Sequence, residues 1–557
     1  MSEDSCCTKS ETGGEGSSGK PMEPSPVDNG INSSGEVEGE HDEKGDKGGD
    51  KVDENEFSSD DGSDMFFEND GNECSTSEDP FEVSHDEIKE RLERSDNQCV
   101  YVDTTSKTVV ACLDLLHRLS RLEKEVPRSN TAVELDIIVV GAGLSGLGAA
   151  IASALSGHRV TVYESATELR EIGAGLQLTP NSTKILQRWG VAEGLLKVAA
   201  EPTSLIVHRY TGKILAQEDD FDKKIRARYG APFIDVHRVD LQMALYARAK
   251  ELGVKFELGQ KIVDVDFGAP EISTASGHKV RADLIVAADG IWSQCRACFT
   301  KNSDPPKPTG DLAYRLVIDL DKVTDDDLRL WISKPKVHFW IGPGAHVVGY
   351  SLRGGNQYNI VLLVPDDLPQ GVSRQEGSVK EMKELFRNWD PTLNRFLDLV
   401  DGVEKWKLMH RSELPSWVND EGNFVFVGDA CHPMLPYLAQ GANSAIEDGA
   451  VLGLLLGALS RQEDLPKALM RYQQLRKVRG DSIVKETFKQ RDSFHMPDGP
   501  EQEARDAIFL SQLGKELRAP FPSRWTCPEV QPWLYGYDAF KEVEESIKTD
   551  PISKGTL

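Results

Sequence analysis

The sequence predicts an α/β fold built on a Rossmann-like parallel sheet, and three observations lead to this prediction. A glycine-rich turn joins an apolar strand to a helix and a second strand at 136–164. Two later apolar strands, in 282–296 and 424–452, end in Asp-Gly and Gly-Asp pairs. The chain beyond its first 90 residues is nearly charge-balanced and is long enough for two domains.

The negative charge of the chain is concentrated near its N-terminus. The 557 residues carry a net charge of −28, and residues 1–90, with 28 acidic and 6 basic side chains, contribute −22. Residues 1–105 are poor in large apolar side chains and are predicted to form a disordered acidic tail. Residues 106–133 are predicted to form an amphipathic helix and a linker. A solubilising role is favoured for this tail, and Phe66-Phe67 within the acidic run suggests a protein partner as the alternative.

The composition of the remaining chain argues against several classes of protein. Its net charge of −6 lacks the basic surface that a nucleic-acid-binding protein needs. No run approaches the ~18–20 apolar residues of a transmembrane helix, and the N-terminus has no apolar signal-peptide core. Nine scattered cysteines suggest free thiols, so a cytoplasmic location is predicted. Cys295 and Cys298 form a CxxC without a second pair, and no metal site is predicted.

The first motif has the features of a dinucleotide site. Ile137 to Val140 reads as a strand, the turn Gly141-Ala142-Gly143-Leu144-Ser145-Gly146 follows, and Glu164 ends the next strand. Gly141 permits a tight turn, Gly143 lets a pyrophosphate approach the backbone, and Gly146 lets the helix pack against the strand. Glu164 can accept hydrogen bonds from a ribose and disfavours a 2′-phosphate, so the site suits NAD or FAD.

Two later motifs favour a flavin. Asp289-Gly290 follows the strand Leu284 to Ala288, and Gly428-Asp429 follows a second strand. A Pro-containing loop then leads to Gly441-Ala442-Asn443 at the start of an apolar helix. An acid at a strand end can bind a polyol hydroxyl, and a helix N-terminus stabilises negative charge on a ring. A flavin, with its ribityl chain and anionic reduced ring, requires both.

The three motifs GAGLSG, AADGIWSQCR and VGDACHPMLPYLAQGANSAIEDGA, in this order, resemble those of the single-component FAD-dependent aromatic hydroxylases, or group A flavin monooxygenases. Within this group the chain is most similar to the salicylate hydroxylase-like enzymes of fungi and bacteria. Supporting stretches include GAGLQLTPNSTKILQRWG at 173–190 and HRVDLQMALY at 237–246. The similarity covers about 134 to 545 and not the acidic tail.

The resemblance implies a Rossmann-like FAD-binding fold with an interleaved β-sheet substrate domain and a C-terminal helical region. The FAD-binding parts would be 134–200, 236–308 and 401–460. The substrate sheet would come from 201–235 and 309–400, and the helical region would be 461–557, with its longest helix from Leu465 to Gln490.

The resemblance also assigns the cofactor contacts. The pyrophosphate would lie against Gly141, Gly143 and Gly146, and the adenosine ribose would contact Glu164. Arg238, Asp289 and Asp429 would contact other parts of FAD, with Asp429 bonding the ribityl and pyrophosphate region. The flavin ring would be lined by residues from two loops and a helix start: Gly175, Pro436, Gly441, Ala442 and Asn443.

The chemistry of such enzymes implies NADPH or NADH and O₂ as co-substrates, acting on a phenol or an aromatic acid through a flavin C4a-hydroperoxide. The chain beyond the acidic tail has one GxGxxG, so the nicotinamide cofactor would visit without a domain of its own, and NADH versus NADPH stays open. Arg315 and Tyr350 match substrate-anchoring positions; the alternatives are a sheet-surface arginine and a core tyrosine. His338 and His346 are candidate acid–base groups with a structural alternative, and His432 is expected to brace the third motif.

Three rival functions remain open. The first is oxidation or epoxidation of a larger metabolite, such as a polyketide or an indole. The second is a flavin oxidase that releases peroxide. The third is a flavin-free escort of prenylated GTPases, which the intact Asp429 and its following loop disfavour. The oligomeric state is also left open.

Overall fold

The computed structural model describes residues 131–169, 173–515 and 521–553. The predicted acidic tail and almost all of the predicted amphipathic helix and linker lie outside these residues. The strands are β1 (Asp136–Val140), β2 (Arg159–Glu164), β3 (Gly175–Leu178), β4 (Ser204–Arg209), β5 (Ile214–Asp219), β6 (Ile234–His237), β7 (Lys255–Leu258), β8 (Ile262–Asp266), β9 (Glu271–Thr274), β10 (Lys279–Arg281), β11 (Leu284–Ala287), β12 (Lys307–Asp319), β13 (Val337–Gly342), β14 (Ala345–Leu352), β15 (Gln357–Pro365), β16 (Arg374–Gly377), β17 (Val403–His410) and β18 (Phe424–Phe426).

The helices alternate with these strands and then dominate the C-terminal part of the chain. They are α1 (Leu144–Leu155), α2 (Pro180–Arg188), α3 (Ala192–Leu196), α4 (Phe221–Tyr229), α5 (Arg238–Glu251), α6 (Gln294–Phe299), α7 (Asp326–Ser333), α8 (Val379–Leu385), α9 (Pro391–Leu397), α10 (Gln440–Gly457), α11 (Leu465–Phe494), α12 (Pro500–Gln512), α13 (Val530–Tyr535) and α14 (Ala539–Thr549). Among the described helices, none is both long and apolar enough to span a membrane.

A five-stranded parallel sheet forms the first layer, in the order β18-β11-β1-β2-β7. Its central strands β1 and β11 are almost continuous apolar runs because helices or loops cover both faces of a parallel sheet. The helix α1 is buried along its whole length and crosses α10 closely. A Cβ on Gly453 would lie 2.5 Å from the Cβ of Ala152, so small residues are required at this crossing.

An eight-stranded sheet forms the second layer, in the order β16-β17-β12-β15-β14-β13-β4-β5. Its pairs are antiparallel except for β13 with β4. The strands β4 and β5 are inserted between parts of the first layer, which confirms the predicted interleaved fold. The boundary predicted at residue 400 is corrected by one strand: β17 pairs with β12, so this sheet extends to His410.

The C-terminal region is helical, as predicted, and α11 is its longest helix with 30 residues. It packs against α10 through buried polar and apolar side chains. The last described helix, α14, also contacts α10. The C-terminal region therefore supports the helix that begins in the third motif.

Candidate active site

A cavity of about 310 Å³ lies where the glycine turn after β1, one face of the eight-stranded sheet and the start of α10 meet. Its wall includes nine of the residues predicted for the site: Gly143, Gly175, Arg238, Arg315, Tyr350, Asp429, Pro436, Gly441 and Ala442. The structure therefore brings together residues from segments up to about 300 positions apart. Gly141, Gly146, Glu164, Asp289 and Asn443 lie outside this wall.

The three glycines of the first motif differ in what surrounds them. Gly141 has φ +103°, and a Cβ there would lie 2.6 Å from the carbonyl oxygen of Ala288. A Cβ on Gly146 would lie 1.9 Å from the carbonyl oxygen of Gly141, so α1 can approach the turn only with glycine at this position. A Cβ on Gly143 would meet nothing within 4 Å. Gly143 is thus the position at which a ligand can reach the backbone.

Glu164 closes the glycine turn from the end of β2. Its Oε2 accepts a hydrogen bond from the Ala142 amide at 2.7 Å, and its Oε1 accepts one from the Ala166 amide at 2.8 Å. Backbone amides therefore fix the carboxylate beside the glycine turn.

Asp289 follows β11 and begins the turn before α6. Its Oδ2 accepts a hydrogen bond from the Cys295 amide at 2.9 Å, and its Oδ1 is buried without a partner among the described residues. Burial raises the pKa of this carboxyl group. An acceptor in this position calls for a hydroxyl or amide donor from a ligand or water.

Asp429 and Arg238 both line the cavity. Burial raises the pKa of Asp429, while His432 and Arg238 oppose that change. The carboxylate is surrounded by protein but opens onto the cavity, where it can accept hydrogen bonds. Arg238 begins α5, and its amide donates to the carbonyl oxygen of Ala174 at 3.0 Å.

The third motif places a helix N-terminus at the cavity. Gly441 and Ala442, in the first turn of α10, line the cavity, and no side chain caps this helix. The preceding Ala439 has a left-handed φ of 50°, which turns the chain sharply after Pro436. The free amides and the dipole of α10 therefore favour negative charge in the cavity.

Asn443, which was expected to line the flavin ring, has its side chain behind the cavity wall. It donates to the carbonyl oxygen of Gln177 at 3.0 Å and accepts from the Thr179 amide at 2.9 Å. The side chain is fully buried. Its observed contacts therefore join α10 to β3 and hold the helix start in place.

Alternate residues of the eight-stranded sheet form the other wall. On β14 these are His346, Val348 and Tyr350, and the register places Val361 opposite Val348 and Arg315 opposite Val361. Side chains two positions apart share one face of a strand, so this row faces the cavity. Gly175 packs onto the row, since a Cβ there would lie 2.6 Å from the Tyr350 ring.

Arg315 is the arginine that this sheet face contributes to the cavity wall. Its guanidinium stacks on the Trp406 ring with 4.9 Å to the centroid, and it makes no hydrogen bond or ion pair with another described residue. Burial lowers its pKa, with a further contribution from Arg238. Burial also raises the pKa of Tyr350, and the neighbouring Arg315 opposes that rise.

The two candidate histidines of the sheet have different positions. His346 lines the cavity, whereas His338 lies on the opposite face and contacts His208 with 3.0 Å between Nδ1 and Nε2. His338 also stacks on Trp331, with 4.2 Å between ring centroids. Its surroundings agree with the structural alternative, and His346 alone of the two can reach a ligand in the cavity.

A buried ionic network beneath the third motif was missed by the sequence analysis. Arg476 of α11 bonds Asp448 at 2.8 Å and Glu447 at 2.7 Å, and Arg479 bonds Glu447 through two nitrogens. His432 contacts Asp448 at 2.6 Å, so it does brace the motif. Burial alone would raise the pKa of Asp448, but His432 and Arg476 lower it to about 2. The acid pair in IEDGA and the two arginines in RKVRG were the available signal.

The residues around the cavity fit a flavin dinucleotide. Gly143 leaves backbone open to a pyrophosphate, Asp289 keeps an unused acceptor, and an uncapped helix N-terminus faces the cavity. These features, on a parallel sheet with an inserted antiparallel sheet, define a flavoprotein oxidoreductase.

Comparison with known proteins agrees with this class. Residues 134–487 match the family model for the FAD binding domain, and the chain belongs to this family. It is an FAD-dependent monooxygenase. It is 50% identical over 417 residues to FAD-dependent monooxygenase OpS4 of Beauveria bassiana, a match that covers 74% of the chain and 97% of that protein. It is 31% identical over 413 residues to 3-hydroxybenzoate 6-hydroxylase of Polaromonas naphthalenivorans, covering 74% and 98%.

Solved structures show the same fold at lower sequence identity. A salicylate hydroxylase substrate complex has a TM-score of 0.61 at 21% identity and covers 76% of this chain and 99% of its own. CtdE in complex with FAD and a substrate has a TM-score of 0.64 at 22% identity, covering 75% and 98%. These likenesses confirm the predicted fold class.

Proposed function

We propose that the protein hydroxylates an aromatic acid, using NADPH or NADH and O₂ as co-substrates. The observation that carries this proposal is the Arg315 guanidinium, which faces the cavity without a hydrogen-bonding partner among the described residues. A half-buried cation on an otherwise largely apolar cavity wall favours an anionic partner, and a carboxylate matches its two parallel N–H groups. Tyr350 on the same face can bond a second substrate oxygen.

The relatives support the same class of substrate. The names of several include hydroxybenzoates, such as 3-hydroxybenzoate 6-hydroxylase and the 3-amino-4-hydroxybenzoate 2-monooxygenase of Streptomyces platensis. The two hydroxybenzoates in these names are aromatic acids with a ring hydroxyl. An electron-rich ring of this kind accepts an electrophilic oxygen atom.

The residues of the nucleotide part would hold FAD as follows. Gly141, Gly143 and Gly146 would form the pyrophosphate turn, with Glu164 at the adenosine ribose. Arg238, Asp289 and Asp429 would contact the remaining polar groups. Gly175, Pro436, Gly441 and Ala442 would line the ring, while Asn443 would hold α10 in position. When bound, FAD would supply the redox chemistry, because NAD(P)H can reduce it and the reduced flavin can activate O₂.

The protein contributes orientation and exclusion of water. Arg315 would fix the carboxylate, so that the ring lies between the sheet and the start of α10. Phe339, Val348 and Leu363 would surround the ring with apolar side chains. An apolar wall keeps bulk water from the reacting oxygen, which otherwise ends as peroxide.

The test uses purified, FAD-loaded protein with NADH or NADPH and a panel of aromatic acids that includes 3-hydroxybenzoate and salicylate. NAD(P)H oxidation, peroxide and a product heavier by one oxygen atom are measured together. We expect one acid to accelerate oxidation and yield product with little peroxide. Failure of every aromatic acid, with turnover of a larger polyketide or indole, would replace this substrate class by its rival.

A pair of variants isolates the role of Arg315. Arg315→Ala should raise KM for the acid by about 10- to 100-fold, the worth of a charged hydrogen-bonding pair. Arg374→Ala is the matched control, because Arg374 stacks on the same Trp406 ring at 4.5 Å but pairs with Glu404. If both substitutions raised KM equally, the increase would come from the lost stacking on Trp406 and not from a lost contact with the carboxylate.

A further inference from the structure

His346 in the cavity wall contacts a second buried histidine outside that wall. Its Nδ1 lies 2.7 Å from Nε2 of His495, the residue that follows α11. His346 is 2% exposed and His495 is 9% exposed. The two rings therefore form a hydrogen-bonded line that starts at the cavity and leads away from it.

The pair is held by contacts on both sides. The Gly344 amide, in the turn before β14, donates to the backbone carbonyl oxygen of His495 at 2.9 Å. Tyr437, which also lines the cavity, has its ring 5.1 Å from that of His346 and 5.7 Å from that of His495. The imidazole contact is thus fixed by the backbone and by a packed aromatic ring.

The acidic and basic groups near the histidine pair are themselves paired, so their charges largely cancel. Asp311 is buried, accepts from the Tyr437 hydroxyl at 2.6 Å and is paired with Arg491. Burial lowers the pKa of both imidazoles, that of His495 to about 4, with Asp311 and Asp492 opposing and Arg491 assisting. A ring that resists a positive charge can take up a proton only if it gives up another.

We propose that His346 and His495 form a proton relay that removes the proton of the substrate's phenolic hydroxyl. This inference rests on the proposed function. The hydroxyl O–H bond breaks, and His346 Nε2 gains the proton. His346 Nδ1 passes its own proton to His495 Nε2, and His495 Nδ1 releases one to water, so neither ring becomes charged. After hydroxylation, the product oxygen regains a proton and the reverse passage restores both tautomers.

The geometry of the sheet places this relay opposite the proposed carboxylate anchor. His346 pairs with Leu363, which pairs with Ala313, two residues from Arg315. The strand spacing puts the Cα atoms of His346 and Arg315 roughly 12 Å apart. Both side chains line the cavity from the same face of the sheet. An ionised hydroxyl makes the ring a stronger nucleophile.

The sheet also supplies a matched control. His338 and His208 form a second histidine pair, with 3.0 Å between their nitrogens, on the face away from the cavity. They are buried to a similar degree, at 4% and 5% exposed. A substitution there removes the same chemistry from the sheet without touching the relay.

The experiment uses the FAD-loaded full chain and two probes, 3-hydroxybenzoate and 3-hydroxy-4-nitrobenzoate, whose hydroxyl ionises more readily. Stopped-flow absorbance follows formation of the bound nitrophenolate, which reports deprotonation without turnover. We expect His346→Gln and His495→Gln to slow this step at least tenfold, within the range of general-base catalysis, and His338→Gln to leave it unchanged.

Substrate acidity, pH and added imidazole distinguish a relay defect from a structural defect in these variants. The loss of hydroxylation in both variants should be smaller for the nitro compound than for 3-hydroxybenzoate. It should also become smaller as the pH rises toward ~10, the pKa of a simple phenol. Imidazole should restore part of the rate in His495→Ala. Unchanged nitrophenolate formation in both variants, while the wild type still hydroxylates, would overturn the relay alone. A wild type that neither binds nor hydroxylates any aromatic acid would remove the proposed function and the relay together.

Discussion

Substitution of Gly143 by alanine tests the cofactor site without disturbing the fold. A Cβ at this position meets nothing within 4 Å, and its φ of −70° and ψ of −179° suit alanine. Alanine gains about 0.4–1 kcal/mol from a less flexible unfolded chain and loses a similar amount as a poorer helix cap. The free energy of unfolding should therefore change by less than about 1 kcal/mol.

The expected effect of this substitution is weaker binding of FAD. A methyl group at Gly143 holds the pyrophosphate away from the amides at the start of α1. Loss of two charge-assisted hydrogen bonds, each worth about 1.5–3 kcal/mol, removes about 3–6 kcal/mol of binding. This corresponds to a 10²- to 10⁴-fold weaker Kd for FAD.

The assay is titration of FAD fluorescence, with urea unfolding of the same protein as the stability measurement. Gly194→Ala is the matched control, because a Cβ there also meets nothing within 4 Å but lies in α3, outside the cavity wall. Gly146→Ala should destabilise the chain itself. If Gly143→Ala bound FAD as tightly as the wild type, the pyrophosphate would not lie against this turn and the placement would be refuted.

Three further predictions concern the rest of the molecule. Glu447→Ala leaves Arg476 and Arg479 buried without this partner and should cost about 3–5 kcal/mol in urea unfolding; a loss under 1 kcal/mol would contradict the network's role. The pKa of His495 is about 4 when folded, below the usual 6.5, so the unfolded chain binds protons first as pH falls. Stability present above pH 6.5 should decline by up to about 3 kcal/mol toward pH 4, and thermal melts of wild type and His495→Gln measure this. Tyr350→Phe should raise KM for the aromatic acid about tenfold with little change in Tm, and equal KM values would exclude a hydroxyl contact.

The nucleotide part could be predicted from sequence because its information is local. Ile137 to Val140, the glycine turn and Glu164 form one short segment, and each residue type has one strong physical reason to be there. The structure places the strands and the helix of this segment within a residue or two of the predicted positions. The boundary at residue 400 was wrong because β17 pairs with β12 across nearly a hundred residues, and pairing partners leave no local signal.

Which polar side chains face the cavity depends on the pairing register of the strands and could not be predicted from sequence. His338 and His346 are equally plausible from sequence, yet strand alternation and the turn between β13 and β14 put them on opposite faces. Asn443 is in the expected motif, but hydrogen bonds to Gln177 and Thr179 turn its side chain away from the cavity.

The sequence by itself determined the class of fold and favoured a flavin, because glycine turns, strand-end acids and helix starts act over a few residues. The kind of reaction followed from the resemblance of these motifs to those of the FAD-dependent aromatic hydroxylases. Only the tertiary structure decided which side chains meet. It joined Glu447 and Asp448 to Arg476 and Arg479, and His346 to His495. These contacts depend on how α10, α11 and the eight-stranded sheet pack, and packing brings together residues whose separation along the chain carries no pattern.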